Sequence, residues 1–426
     1  MKIIKVLGFA ITVVLIMFCI SGLDYVLSDD TNSYFRIGLH ELYEQEHIES
    51  IFLGASHVYS GIDPAITDEA WGENTFNCST ASQRINTSYT LLKEADKIGG
   101  ISTCYLELTL KGISKEIGSG QTPEVYNVSD YMKLSWNKIS YLLRAVQPQD
   151  YVHAFCRARR NWKSIYSIDT MKETISKKAQ DSYKNYAPLT KSTSRYGGKG
   201  FIYSTGEFRN VASSARKSFD GSVPEDFKYY FKKIVQYCQK HDITLICFSL
   251  PVTEFTMEAV GNYDAYYQKV QELCEEFGIS YYDFNLANPS ILKMEDNDFR
   301  DANHLNGTGA EKVTRVFADF FAGKIEKEEL FYDSYAEKKE HLPKRFIGVI
   351  LKRSKDKKIC SITPLATKQD DYEYEVYVQA DNGDFTLLQE KSPNCKIVMP
   401  SASKVKLKIR VYDSKGKKAA GFNKSV

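Results

Sequence analysis

Short apolar runs alternate with amphipathic stretches through the middle of this 426-residue chain, and that alternation limits the fold more than any other feature. Ile51-Phe52-Leu53 reads as a buried strand, Thr75-Phe76-Asn77-Cys78 as a weaker one, and Thr103 to Leu108 as a third. Ile243 to Leu250 is a fourth, stopped by Pro251, and Ile279 to Phe284 a fifth. Residues 87–98, 227–241, 263–277 and 309–321 carry apolar side chains at helical spacing. Strands and helices in this rhythm predict βαβ units around a parallel sheet. Ligands of such sheets sit outside the carboxyl ends of the strands. Residues 111–220 break the rhythm. They are polar, tyrosine-rich and helix-leaning, and predict a helical insertion beside that end, placed to act as a lid or recognition element.

Past about residue 340 the period changes. Tyr372 to Val378 and Val405 to Val411 alternate strictly, and Asn382-Gly383 suits a hairpin turn. This predicts an all-β, sandwich-like domain over 345–426, joined through a charge-rich linker at 326–344. The α/β domain then occupies 25–325.

Ahead of it lies Met1-Lys2-Ile3-Ile4-Lys5, followed by the uncharged run Val6 to Leu23, with acidic Asp24, Asp29 and Asp30 beyond. Eighteen helical residues reach ~27 Å, close to the thickness of a bilayer core. The run is long for a cleaved signal and lacks a small-x-small end. Residues 1–24 are therefore expected to form a transmembrane anchor. The lysines place the N-terminus in the cytoplasm and the bulk of the chain outside. A buried N-terminal helix is the alternative, disfavoured by apolarity on every face.

Mean hydropathy of −0.37 excludes a multi-span protein. The net charge of +2 gives no case for nucleic acid as a partner. It is a cancellation. Residues 341–426 hold 18 Lys+Arg against 9 Asp+Glu, a local +9, so the rest of the chain carries −7. Outside a membrane, a basic β domain is suited to anionic polymers or lipid headgroups, or is simply a solvated face. The nine cysteines form no CxxC and read mainly as small buried hydrophobes. Cys360 and Cys395 are the pair best placed for a disulfide.

Two segments carry chemistry. The first is Gly54-Ala55-Ser56-His57, where Ser56 follows directly from a buried strand and opens a helix. A serine there is exposed at the strand's carboxyl end, and its own N–H can face a developing oxyanion. The second is Asp301-Ala302-Asn303-His304-Leu305-Asn306-Gly307-Thr308-Gly309-Ala310, just before the last α/β helix. One turn brings Asp301 and His304 together. His304 could then take a proton from Ser56 while Asp301 orients the ring. The chain order Ser, Asp, His is also that of α/β-hydrolases, but their Gly-x-Ser-x-Gly elbow is absent because Val58 stands at its fifth position. The bland readings are a helix N-cap for Ser56 and a capping turn for Asp301 and His304. No helix-spaced histidine pair supports a metal site among His57, Asp63, Asp301 and His304. No cofactor is expected.

Strand–Gly-x-Ser near the start and Asp-x-x-His-Leu-Asn-x-x-Gly-Ala near the end of the α/β region resemble the SGNH/GDSL hydrolase superfamily. More narrowly, the chain resembles its membrane-anchored extracytoplasmic branch in Gram-positive bacteria, which includes the D-alanine transfer protein of teichoic acid modification and envelope O-acyl esterases and transferases. The resemblance covers about residues 45–325. It implies a flavodoxin-like three-layer fold, with Ser56 as nucleophile, His304 as base and Asp301 as third member. It also implies a membrane-bound O-acyltransferase as partner. The family's oxyanion glycine after the second strand is replaced by Ser82, whose amide can still donate. Its Gly-x-Asn-Asp after the third strand is replaced by Glu107-Leu108-Thr109-Leu110. His57 and Glu107 are then candidate substrate contacts. Two functions follow as expectations: a serine esterase or acyltransferase acting on acyl esters of a cell-envelope glycopolymer, or a catalytically weak protein that binds or assembles such a polymer.

Overall fold

A computed structural model describes residues 2–114, 116–117, 123–208, 212–213, 219–381 and 383–425. Side chains at 2–6, 9, 10, 212 and 213 are outside that description. The chain forms two compact units, residues 1–204 with 223–247 and residues 205–222 with 248–426.

The first unit opens with helix α1 (Lys2–Leu27) and helix α2 (Tyr34–Tyr43). Strand β1 (Ser50–Leu53) is buried along its whole length and runs into helix α3 (Ser56–Gly61). Helix α4 (Pro64–Trp71) is capped by Asp63, whose carboxylate accepts from Ala65 N, and ends on Gly72 with φ +69°. Strand β2 (Thr75–Asn77), helix α5 (Ile85–Asp96) and strand β3 (Thr103–Glu107) follow. β1 pairs in parallel with both neighbours, Ser50 to Phe52 against Thr75 to Asn77 and Ser50 to Leu53 against Thr103 to Leu106. Flanked on both sides, β1 has no polar face, which is why Ile51-Phe52-Leu53 reads as a continuous apolar run. Among the described residues, the elements of the insertion are short helices as far as Lys184. It then turns into a small antiparallel sheet of β4 (Thr190–Lys191), β5 (Ser194–Gly198) and β6 (Phe201–Ser204). That departs from the helix-leaning expectation. Gly198, Lys199 and Gly200 all adopt positive φ, which ends β5 in a tight turn. At Gly200 a Cβ would lie 1.9 Å from Asn77 O, so only glycine admits this approach.

Residues 205–222, of which 205–220 were expected in the insertion, belong to the second unit, where β7 (Ala212–Ser213) lies. Strand β8 (Thr244–Ser249) carries the boundary, and β9 (Ser280–Asp283) follows. The strand order of the five-stranded sheet is β2-β1-β3-β8-β9. Helix Gly307–Phe321 closes the α/β part. The expected linker contains helices Lys327–Leu330 and Tyr335–His341 and is tied down within its unit. Tyr335 N donates to Asp264 and Lys338 Nζ to Asn285 O (2.7 Å).

The C-terminal strands are β10 (Phe346–Arg353), β11 (Ile359–Ala366), β12 (Glu373–Ala380), β13 (Thr386–Ser392), β14 (Lys396–Val398), β15 (Val405–Tyr412) and β16 (Lys418–Ser425). They form two four-stranded sheets, β14-β11-β10-β7 and β13-β12-β15-β16. Apart from the parallel β10–β7 pair, their pairings are antiparallel. Val349, Leu351 and Ile362 from one sheet and Val376, Leu407 and Ile409 from the other share a single buried cluster. Asn382, of the expected hairpin turn, lies outside the described residues. All nine cysteines are free. The expected Cys360–Cys395 disulfide is absent because Cys360 faces the core opposite Ile397, while Cys395 is exposed.

Among the described residues no helix is long and apolar enough to cross a membrane, so the expected transmembrane anchor is not supported there. What α1 does present is exposure: every residue from 11 to 23 is exposed.

Candidate active site

In the first unit, Ser56 is the first residue of α3, directly after β1 and the Gly54-Ala55 step. A Cβ on Gly54 would lie 2.4 Å from Val58 Cγ2 and 2.9 Å from Glu107 Cβ, so the strand-to-helix step needs glycine. The other end of α3 is held by a buried side chain. Asn77 Nδ2 donates to Val58 O (2.8 Å) and Ile62 O (3.0 Å). Asn77 is the last residue of β2 and fixes a helix whose own hydrogen bonds are few. Sequence reasoning took it only as a strand residue. An asparagine at the buried end of a strand was the available signal.

Glu107 ends β3 with its side chain 1% exposed, and its Oε1 lies 3.4 Å from His57 Nδ1. The two side chains meet at the junction of β3 and α3. Ser82 is exposed and adopts φ +54°, the left-handed region that favours glycine. After β3, Thr109 Oγ1 accepts from Gly112 N and caps the short helix Leu110–Ile113.

In the second unit, Asp301 and His304 form a closed pair. His304 Nδ1 lies 2.8 and 2.9 Å from the two carboxylate oxygens. Asp301 Oδ1 also accepts from Asn303 N (2.9 Å) and His304 N (3.1 Å), and Arg300 Nε lies 3.4 Å from Oδ2. Burial would raise the Asp301 pKa. The His304 ring, the Asn303 amide and the Arg300 charge outweigh it and hold the carboxyl below its usual range. An ionised carboxylate only accepts, so Nδ1 carries the proton.

The loop has supports that the sequence reading passed over. Thr253 Oγ1 (2.8 Å) and Thr256 Oγ1 (2.5 Å) both donate to Ala302 O. Asn306 caps the helix that follows, accepting from Gly309 N, while its Nδ2 donates to Gly206 O and Asn297 O. A Cβ on Gly309 would lie 2.0 Å from Asp298 O, which explains the glycine of His-Leu-Asn-x-x-Gly as a packing need. Thr253, three residues before Thr256 and just past a Pro-terminated strand, was a readable cap signal. Among the described residues no group of His, Cys, Asp and Glu could hold a metal ion.

Fold and geometry together define an α/β chain with an oriented Asp–His pair, a serine at a strand-to-helix step and a C-terminal antiparallel-strand region. No protein-family model matches the chain, and no curated protein matches it. Among solved structures it is similar to a modular endo-β-1,4-mannanase of glycoside hydrolase family 26 from Cellulomonas fimi, at 11% identity over 94% of this chain and 98% of that one, with a TM-score of 0.15. A double mutant of Cellulomonas fimi endo-β-1,4-mannanase aligns at 10% identity over 93% and 98%, also with a TM-score of 0.15. Likeness at that level carries no argument about fold or function.

Proposed function

We propose that this chain is a membrane-attached, extracytoplasmic serine esterase or acyltransferase of SGNH type that works on acyl esters of a cell-envelope glycopolymer. Ser56 Oγ attacks the acyl carbonyl and its proton passes to His304. With Nδ1 engaged by Asp301, that transfer falls to Nε2. The Ser56 amide, with that of Ser82, stabilises the tetrahedral oxyanion. Collapse breaks the ester C–O bond, the departing alcohol takes the proton back from His304 Nε2, and an acyl-enzyme remains; water or a polymer hydroxyl, losing its proton to His304, then attacks the acyl carbonyl and releases Ser56 Oγ, which is reprotonated. The same intermediate serves hydrolysis and transfer. His57 and Glu107 border the nucleophile as candidate substrate contacts, and the basic sandwich-like β domain receives the anionic polymer. Residues 1–24 attach the chain to the membrane beside a membrane-bound O-acyltransferase. What supports this reading most is the bidentate contact of His304 Nδ1 with Asp301, the geometry a general base requires. The test is hydrolysis of a small acetyl ester by the full chain, which Ser56→Ala should abolish.

A second reading, a catalytically weak polymer-binding or assembly protein, is favoured by one observation. The side-chain oxyanion donor after β3 is replaced by the Thr109 cap. One lost donor costs about 2.7–4 kcal/mol of transition-state stabilisation, so this reading predicts a folded protein whose turnover is lower by about 10²–10³-fold.

A further inference from the structure

The insertion is fastened to the end of α1. Ala158 N donates to Asp24 Oδ1, and Asn161 Nδ2 to Ser28 Oγ (2.8 Å). Lys178, buried, donates from Nζ to Tyr25 O (3.0 Å) and Ser28 O (2.5 Å) and pairs with Asp30 (3.0 Å). Arg157 also pairs with Asp30 (3.0 Å), and Lys177 with Asp29 (3.0 Å). Segments 157–160, 162–166 and 168–179 all pack on α1. Just before this clasp, residues 11–23 of α1 are exposed on every face, and a helix apolar all round has its stable place in a core or in lipid. Among the described residues none covers it.

Beside the clasp the insertion exposes a run of large apolar side chains. Val152, Phe155, Trp162, Ile165, Tyr166 and Ile168 are between 40% and 75% exposed. Single exposed apolar residues need no explanation, but six within 17 positions do. The composition is that of a bilayer interface. Trp162 and Tyr166 pack edge to face (5.3 Å), the Arg159 guanidinium lies 5.7 Å from the Trp162 ring, and Lys163 is exposed between them. Aromatic rings settle at headgroup depth, and neighbouring cations favour anionic lipid.

We propose that Trp162, Ile165, Tyr166 and Ile168 form an interfacial membrane contact that seats the insertion in the headgroup–acyl boundary of the bilayer that α1 enters. The inference rests on the proposed membrane attachment of the N-terminal helix and adds a second, insertion-borne contact to it. Charge and continuity with the exposed α1 surface choose lipid as the occupant.

The test is tryptophan quenching in the full chain, reconstituted into phosphatidylcholine–phosphatidylglycerol vesicles whose acyl chains are brominated near the headgroup. The chain has three tryptophans, Trp71, Trp136 and Trp162. Bromolipid should quench part of the emission. Trp136→Phe should keep most of that component, and Trp162→Phe should lose most of it. The exposed pair Tyr166→Asp and Ile168→Asp, with circular dichroism unchanged, should reduce it at least twofold. Co-sedimentation with vesicles but no quenching of Trp162 would overturn the interfacial contact and leave the N-terminal attachment standing. Failure to co-sediment would overturn that attachment and the contact with it. Protection of Trp162 from both bromolipid and aqueous iodide would assign the surface to a protein partner or a second copy, and overturn the proposal.

Discussion

His304 Nδ1 sits 2.8 Å from one oxygen of Asp301 and 2.9 Å from the other. That contact fixes ring orientation and tautomer together. Asp301→Asn keeps the shape but lets the amide donate, which favours the wrong tautomer. Turnover should then fall by on the order of 10³–10⁴-fold with little change in KM. Steady-state kinetics on an acetyl ester measures it.

The same carboxylate makes a pH prediction. Its folded-state pKa lies below the ordinary value, held there by His304, Asn303 N and Arg300 against the opposing effect of burial. A depressed carboxyl contributes stability that is fully present above the unfolded pKa, about 4, and is lost as pH falls through the folded value. The Tm difference between wild type and Asp301→Asn should therefore be largest near neutrality and shrink below about pH 4. Thermal denaturation across that range checks the sign.

Ser82 holds a left-handed conformation at φ +54°. Glycine takes it without strain and a β-branched residue does not. Ser82→Gly should be neutral or stabilising, and Ser82→Val should destabilise by about 1–2 kcal/mol. If the amide is an oxyanion donor, Ser82→Gly keeps turnover. Denaturant midpoints paired with ester kinetics separate the two effects.

Asn77 is buried and bridges a carbonyl of α3, that of Val58, and the carbonyl of Ile62 just past its end. Asn77→Ala leaves both without that donor, at a cost of about 1–3 kcal/mol. Because α3 begins at Ser56, kcat should fall more than stability alone explains. Kinetics below the unfolding transition, set beside Asn306→Ala, shows whether the loss follows the nucleophile's helix.

Much of the α/β region was legible because burial leaves a periodic trace. Ile51-Phe52-Leu53 is apolar throughout, as a strand flanked on both sides must be, Ile243 to Leu250 is largely so, and β12 and β15 alternate because one face is buried. The pairing of Asp301 with His304 was legible from spacing. The supports were not. Thr253, Thr256 and Asn77 act through side chains meeting backbone distant in sequence, and no local period records such a contact. The small sheet at 190–204 was missed for the same reason: Gly200 is required by the approach of Asn77 O, not by a neighbour in sequence. The assignment of 205–222 to the second unit rests on contacts such as Phe208 N with Phe299 O, 91 positions apart, which composition does not encode.

Ser56, proposed as an activated nucleophile, should carry a direct chemical signature. A fluorophosphonate probe, applied to the full chain in detergent and mapped by peptide mass spectrometry, tests it most directly. A single adduct on Ser56 is expected, absent in Ser56→Ala and strongly slowed in His304→Ala. Folded protein that takes up no probe, or an adduct that survives Ser56→Ala, would contradict it.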